Sequence, residues 1–75
     1  MENIKVRIGN RIKELREQRG FMQKDLSFAA DLDRSYIASV ESGVRNISIV
    51  NIEKIAKALK VSLTEFFNSP DFQQR

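Results

Sequence analysis

Apolar residues recur along this chain at helical rather than alternating spacing. Ile4, Ile8, Ile12 and Leu15 step by four, four and three positions, which on a helix makes one stripe. Lys5, Arg7, Arg11, Lys13, Glu14 and Glu17 fall off that stripe and, with Arg19, read as a solvated face. The pattern predicts a first helix over residues 4–19. Gly20 stops it, since glycine takes a left-handed conformation without a Cβ penalty. Gly9 inside the helix costs about 1 kcal/mol relative to alanine. A close helix–helix contact at that point would account for it.

The same reading continues downstream. Residues 23–30 form a short second helix with Leu26 inward. Asp31, Leu32 and Asp33 connect it to a third, over residues 34–41, which carries Tyr36, Ile37 and Val40 and has Asp33 as its N-cap. Gly43 ends the third helix. Ser48 caps a fourth, over residues 49–59, with the stripe Ile49, Ile52, Ile55, Ala56 and Leu59. Ser62 and Glu65 match a capping box, in which each side chain satisfies the other's free backbone amide. That box opens a short fifth helix through Leu63, Phe66 and Phe67, and the tail 68–75 is expected to fray. No segment alternates as a strand does. The expected fold class is all-α, a single compact five-helix domain over residues 1–75.

The fifth helix is too short to stand alone, because isolated helices below about 12 residues are marginal in water. Packing must hold it, and one domain can cover only one of its faces. Phe66 is assigned to the core, and Leu63 and Phe67 to an interface with a second copy. Aromatic residues are enriched at the centres of such contacts.

Composition narrows the chemistry. The 75 residues hold neither cysteine nor histidine, so a disulfide, a thiolate metal site and imidazole catalysis are all out of reach. No glycine-rich loop is present to cradle a phosphate. The expectation is a non-enzyme with no cofactor, no metal, no small-molecule ligand and no catalytic residues. Thirteen Lys and Arg against ten Asp and Glu give a net charge of +3, compatible with a nucleic-acid partner but not diagnostic of one. No apolar run is long enough to span a membrane, and the first residues lack a signal-peptide core. A bacterial cytoplasmic location is expected, on the nucleoid when DNA is bound.

The second and third helices, at about residues 23–41, carry the functional signal. Two short helices joined by three residues have the spacing of a helix-turn-helix. In that motif the first helix braces on the DNA backbone, and the second lies in the major groove with its N-terminal residues toward the bases. The third helix suits that task. Arg34, Ser35, Tyr36, Ser39 and Ser42 face outward, while Ile37 and Val40 face in. Arginine can hold a guanine through two hydrogen bonds, and serine can serve a donor or an acceptor. A buried structural helix would rarely spend its first turn on Arg-Ser-Tyr.

The stretches IGNRIKELREQRG, QKDLSFAADLDRSYIASVESG and IEKIAKALKVSLTEFF, between Ile8 and Phe67, together resemble the phage-repressor-type (Xre-like) helix-turn-helix family. LDRSYIASVESGVRNISI is most similar to the controller proteins of restriction–modification systems within that family. The resemblance implies a lambda-repressor-like domain that binds double-stranded operator or promoter DNA as a homodimer. It implies base contacts from Arg34, Ser35, Tyr36 and Ser39. Backbone contacts would come from Gln23, Arg45 and Asn46, with exposed Lys24 compatible with another. Arg16 and Glu41 would form an internal ion pair. A controller would sit near the promoters of its locus, activating at one occupancy and repressing at another, with RNA polymerase as a further partner.

Two positions depart from the family pattern. Met22 stands where the family usually has a serine or threonine cap, and Asp31 where it often has glycine. Aspartate tolerates the left-handed conformation better than most residues. Among rival readings, an antitoxin-like or phage-type repressor with a protein partner is the nearest. Such proteins generally need an extra segment to hold the partner, and few residues follow the fifth helix here. A purely structural bundle would leave the polar start of the third helix unexplained.

Overall fold

The computed structural model describes residues 3–73. They form α1 (Ile4–Gln18), α2 (Gln23–Ala30), α3 (Arg34–Glu41), α4 (Ile49–Ala58), α5 (Leu63–Phe67) and a closing 3-10 turn, Pro70–Phe72. The described residues are all-helical, as the spacing predicts.

Helix starts follow short polar side chains. Asn3 Oδ1 accepts the Val6 N–H at 3.1 Å, and Ser48 Oγ accepts the Asn51 N–H at 3.1 Å. Ser62 Oγ accepts the Glu65 N–H at 3.0 Å. The predicted box there is only half formed, because among the described hydrogen bonds Glu65 returns none to the Ser62 amide. Asp33 also departs from expectation. It sits at the cap position of α3, but its exposed carboxylate accepts no cap hydrogen bond. The first turn is closed instead by the helix's own bond from the Ile37 N–H to the Asp33 carbonyl, at 3.0 Å. Met22 has no hydroxyl to offer α2, and the N3 carboxylate compensates. Asp25 Oδ2 accepts the Met22 N–H at 2.8 Å.

The four longer helices all stop in one way. Gly20, Asp31, Gly43 and Lys60 take left-handed conformations, with φ of 72°, 55°, 81° and 60°. The N–H of the following residue then reaches back to a carbonyl in the last turn. Phe21 bonds Arg16, Leu32 bonds Ser27, Val44 bonds Ser39 and Val61 bonds Ala56, at 3.0–3.3 Å. These are Schellman closures, which satisfy carbonyls the helix leaves open.

The core gathers Ile8, Ile12 and Leu15 from α1, Leu26 and Ala30 from α2, and Ile37 and Val40 from α3. Ile52, Ile55, Ala56 and Leu59 join from α4 and its cap, and Phe66 from α5. α1 crosses α3 so closely at Gly9 that a Cβ there would run into the Val40 carbonyl oxygen and lie 2.8 Å from that of Glu41. That contact explains a glycine in mid-helix. The stripes of α1 and α4 overrun the core at their first turns. Ile4 and Ile49, predicted inward, are 51% and 65% exposed.

Two further expectations are corrected. The polar face of α1 is not wholly solvated. Arg11 is buried, donating from Nε to the Phe66 carbonyl at 2.7 Å and from Nη2 to the Glu65 carbonyl at 2.8 Å. It flanks Ile12 on the stripe's edge, where a long side chain can reach the open end of α5. The tail is not frayed through residue 72. Ser69 is buried, and the Phe72 ring lies 6.5 Å from that of Phe66 and 5.1 Å from that of Phe67. Aromatic packing holds a segment that has little helix-forming capacity. Residues 74 and 75 of the tail lie outside the described residues.

Candidate nucleic-acid interface

Asp31 lets the chain turn sharply between α2 and α3, and Leu26, Ile37 and Val40 lock the two helices against α1 and α4. That packing fixes which side of α3 is open. Arg34 and Ser35 in its first turn are exposed, and Tyr36 and Ser39 are half-buried beside them.

An ion pair ties α1 to the end of α3, and the start of α2 joins it through a hydrogen bond. Arg16 Nε donates to Glu41 Oε2 at 2.7 Å and Nη2 donates to Glu41 Oε1 at 3.1 Å. Arg16 Nη1 donates to the Phe21 carbonyl at 2.7 Å. The direct hydrogen bond to Glu41 raises the Arg16 pKa above its ordinary value, against the opposing effect of burial. Gln23 Nε2 also donates to Glu41 Oε1, at 3.1 Å. The Gln23 amide is therefore oriented by Glu41 rather than free. Gln23, Lys24 and Arg34 line one shallow hollow together with Arg16 and Met22, which joins the predicted positions at the heads of α2 and α3.

Arg45 and Asn46, adjacent in sequence, diverge. Arg45 folds back on α3, with Nε donating to Ser39 Oγ at 3.0 Å and the guanidinium carbon 5.1 Å from the centre of the Tyr36 ring. It joins Tyr36 and Ser39 of α3 directly. Asn46 instead lines a second hollow with Ile4, Lys5, Ile8, Ile47, Ile52 and Phe67. That hollow is largely apolar and contains no residue of α3. Leu63 and Phe67 are 38% and 36% exposed, whereas Phe66 is fully buried.

Asn51, on α4, escapes a reading of the sequence. Its Nδ2 donates to the Tyr36 hydroxyl at 3.0 Å. It stands off the α4 stripe like any solvated position, so no local signal marks it.

Residues 12–66 match the family described as helix-turn-helix. The chain belongs to that family. Within it, the chain groups with the restriction–modification controller proteins. It is 47% identical to control protein C.MunI of Mycoplasma sp, over 91% of this chain and 93% of that one. The crystal structure of the controller C.AhdI from Aeromonas hydrophila superposes with a TM-score of 0.80 at 48% identity, covering 84% of this chain and 96% of that one. The controller C.Esp1396I, seen as a tetramer with its natural 35 base-pair operator, superposes with a TM-score of 0.83 at 36% identity, covering 89% and 88% of the two chains. No helix among the described residues is long and apolar enough to cross a membrane.

Proposed function

We propose that this protein is a sequence-specific transcription regulator that binds operator DNA as a homodimer and controls restriction–modification genes from the bacterial cytoplasm. One observation carries the reading. The helix-turn-helix packing buries Ile37 and Val40 and leaves Arg34 and Ser35 exposed at the N-terminal end of α3, the end that meets base edges when such a helix enters the major groove. C.Esp1396I in complex with its operator supports it from a protein of the same family. In a two-fold dimer the paired α3 helices would lie about 34 Å apart, one turn of DNA. Arg34, Ser35, Tyr36 and Ser39 are assigned to the bases. Gln23, Lys24, Arg45 and Asn46 are assigned to the backbone, where contacts supply affinity and register.

The test is titration of a duplex enriched from a random-sequence pool, at several salt concentrations. A dimer neutralising about 8 phosphates should give a log–log salt slope near −7. Arg34→Ala should cost roughly 5- to 150-fold at one base position and little on scrambled DNA, the range of a bidentate arginine–guanine contact. No duplex binding even at low salt would remove the DNA reading. An even loss across all sequences would remove Arg34's role in base choice.

A further inference from the structure

We infer that Asn51 on α4 is a positioning residue for groove recognition by α3, acting through the Tyr36 hydroxyl. The inference rests on the DNA-binding reading above. Two contacts converge on one ring, and a third set of bonds braces one of them. Asn51 Nδ2 donates to Tyr36 Oη at 3.0 Å. The Arg45 guanidinium lies over the ring face, 5.1 Å from its centre. Arg45 Nε is itself held by Ser39 Oγ at 3.0 Å, and that hydroxyl donates to the Tyr36 carbonyl at 2.9 Å. The ring is thus fixed at its tip by α4 and over its face by the loop after α3. A half-buried tyrosine without these contacts could hop between rotamers and would lose that freedom on meeting DNA. A ring already in place avoids that loss.

The direction of the Asn51 bond matters as much as its presence. An amide N–H given to a phenol oxygen occupies an acceptor lone pair and leaves the phenol's single proton uncommitted. Tyr36 can then donate outward to a phosphate or base acceptor. The first turn of α4, where the apolar pattern speaks only of core building, becomes part of the recognition surface.

A double-mutant cycle tests this. The wild-type protein enriches a duplex from a random-sequence pool. Wild type, Asn51→Leu, Tyr36→Phe and the double variant are then titrated against that duplex and a scrambled one, with circular dichroism melts on each. Each single change should weaken binding to the enriched duplex about 3- to 10-fold, the worth of one net hydrogen bond. Binding to the scrambled duplex should stay at the wild-type level. The double variant should be no weaker than the worse single, because both changes break the same bond. Losses that multiply in the double variant overturn the inference, as do equal losses on both duplexes or no loss in either single. Should Asn51→Leu unfold, Asn51→Ala takes its place in the cycle. A wild type that enriches no duplex fails the DNA-binding reading itself, a result distinct from all of these.

Discussion

Two charges at the edge of the core, Arg16 and Glu41, do more than neutralise each other. Glu41 accepts from Arg16 through both oxygens and also orients the Gln23 amide. Breaking such a pair from one side strands a buried charge. Glu41→Gln is therefore expected to lower unfolding stability by about 3–5 kcal/mol, measured by urea denaturation at neutral pH. The sign with pH follows from the raised Arg16 pKa. Stability from a raised pKa is fully present below the unfolded value and disappears only as pH rises through the folded one. Arginine's unfolded value is already far above neutrality, so Arg16 contributes no pH dependence across the neutral and mildly alkaline range. A loss near zero for Glu41→Gln would show that the pair is hydrated rather than buried in solution.

Helix boundaries here are decided by caps more than by propensity. Gly20 and Gly43 signal their own stops, and Asp31 is tolerable in the same role. Lys60 is not signalled at all. The left-handed conformation costs a residue with a Cβ roughly 1–2 kcal/mol, and the Val61 to Ala56 closure holds Lys60 in it. Lys60→Gly removes that strain but adds unfolded-chain entropy. A net gain of about 0.5–1 kcal/mol is expected in chemical denaturation. A destabilised variant would mean that the Lys60 side chain contributes packing the backbone argument leaves out. α5 shows the complementary case. Five residues cannot hold a helix unaided, and this one is fastened by Phe66 in the core and by Arg11 on the Phe66 and Glu65 carbonyls.

The proposed homodimer places its second copy against α5. Phe67 lines an apolar hollow with Ile4, Ile47 and Ile52, and Leu63 is exposed on the same short helix. A two-fold contact places the same patch on both partners, and none of these residues belongs to α3. Phe67→Ala should leave the fold intact, as judged by circular dichroism, and shift sedimentation equilibrium toward monomer with weaker operator binding. Phe66→Ala should instead cost about 3–5 kcal/mol of stability, as a fully buried aromatic does. Dimerisation of a folded Phe67→Ala at wild-type concentrations would move the interface elsewhere.

The linear pattern determined what depends on neighbours a few residues apart. The 3.6-residue period set the helices, glycines and short polar side chains set most of their ends, and the Arg-Ser-Tyr start of α3 marked the outward face. Contacts between distant segments settled the rest. Arg11 looks solvated until α5 folds against α1 and offers it two open carbonyls. Phe72 looks like a loose tail until Phe66 and Phe67 supply partners. Ile4 and Ile49 keep the period of the core, yet no neighbouring helix covers them. Asn51 meets Tyr36 only because α4, packed on α2, brings its first turn beside the start of α3. Periodicity tells which way a side chain points from its own helix axis. Whether something waits there is fixed by how the helices cross, and in this protein Gly9 and the left-handed Asp31 set two of those crossings.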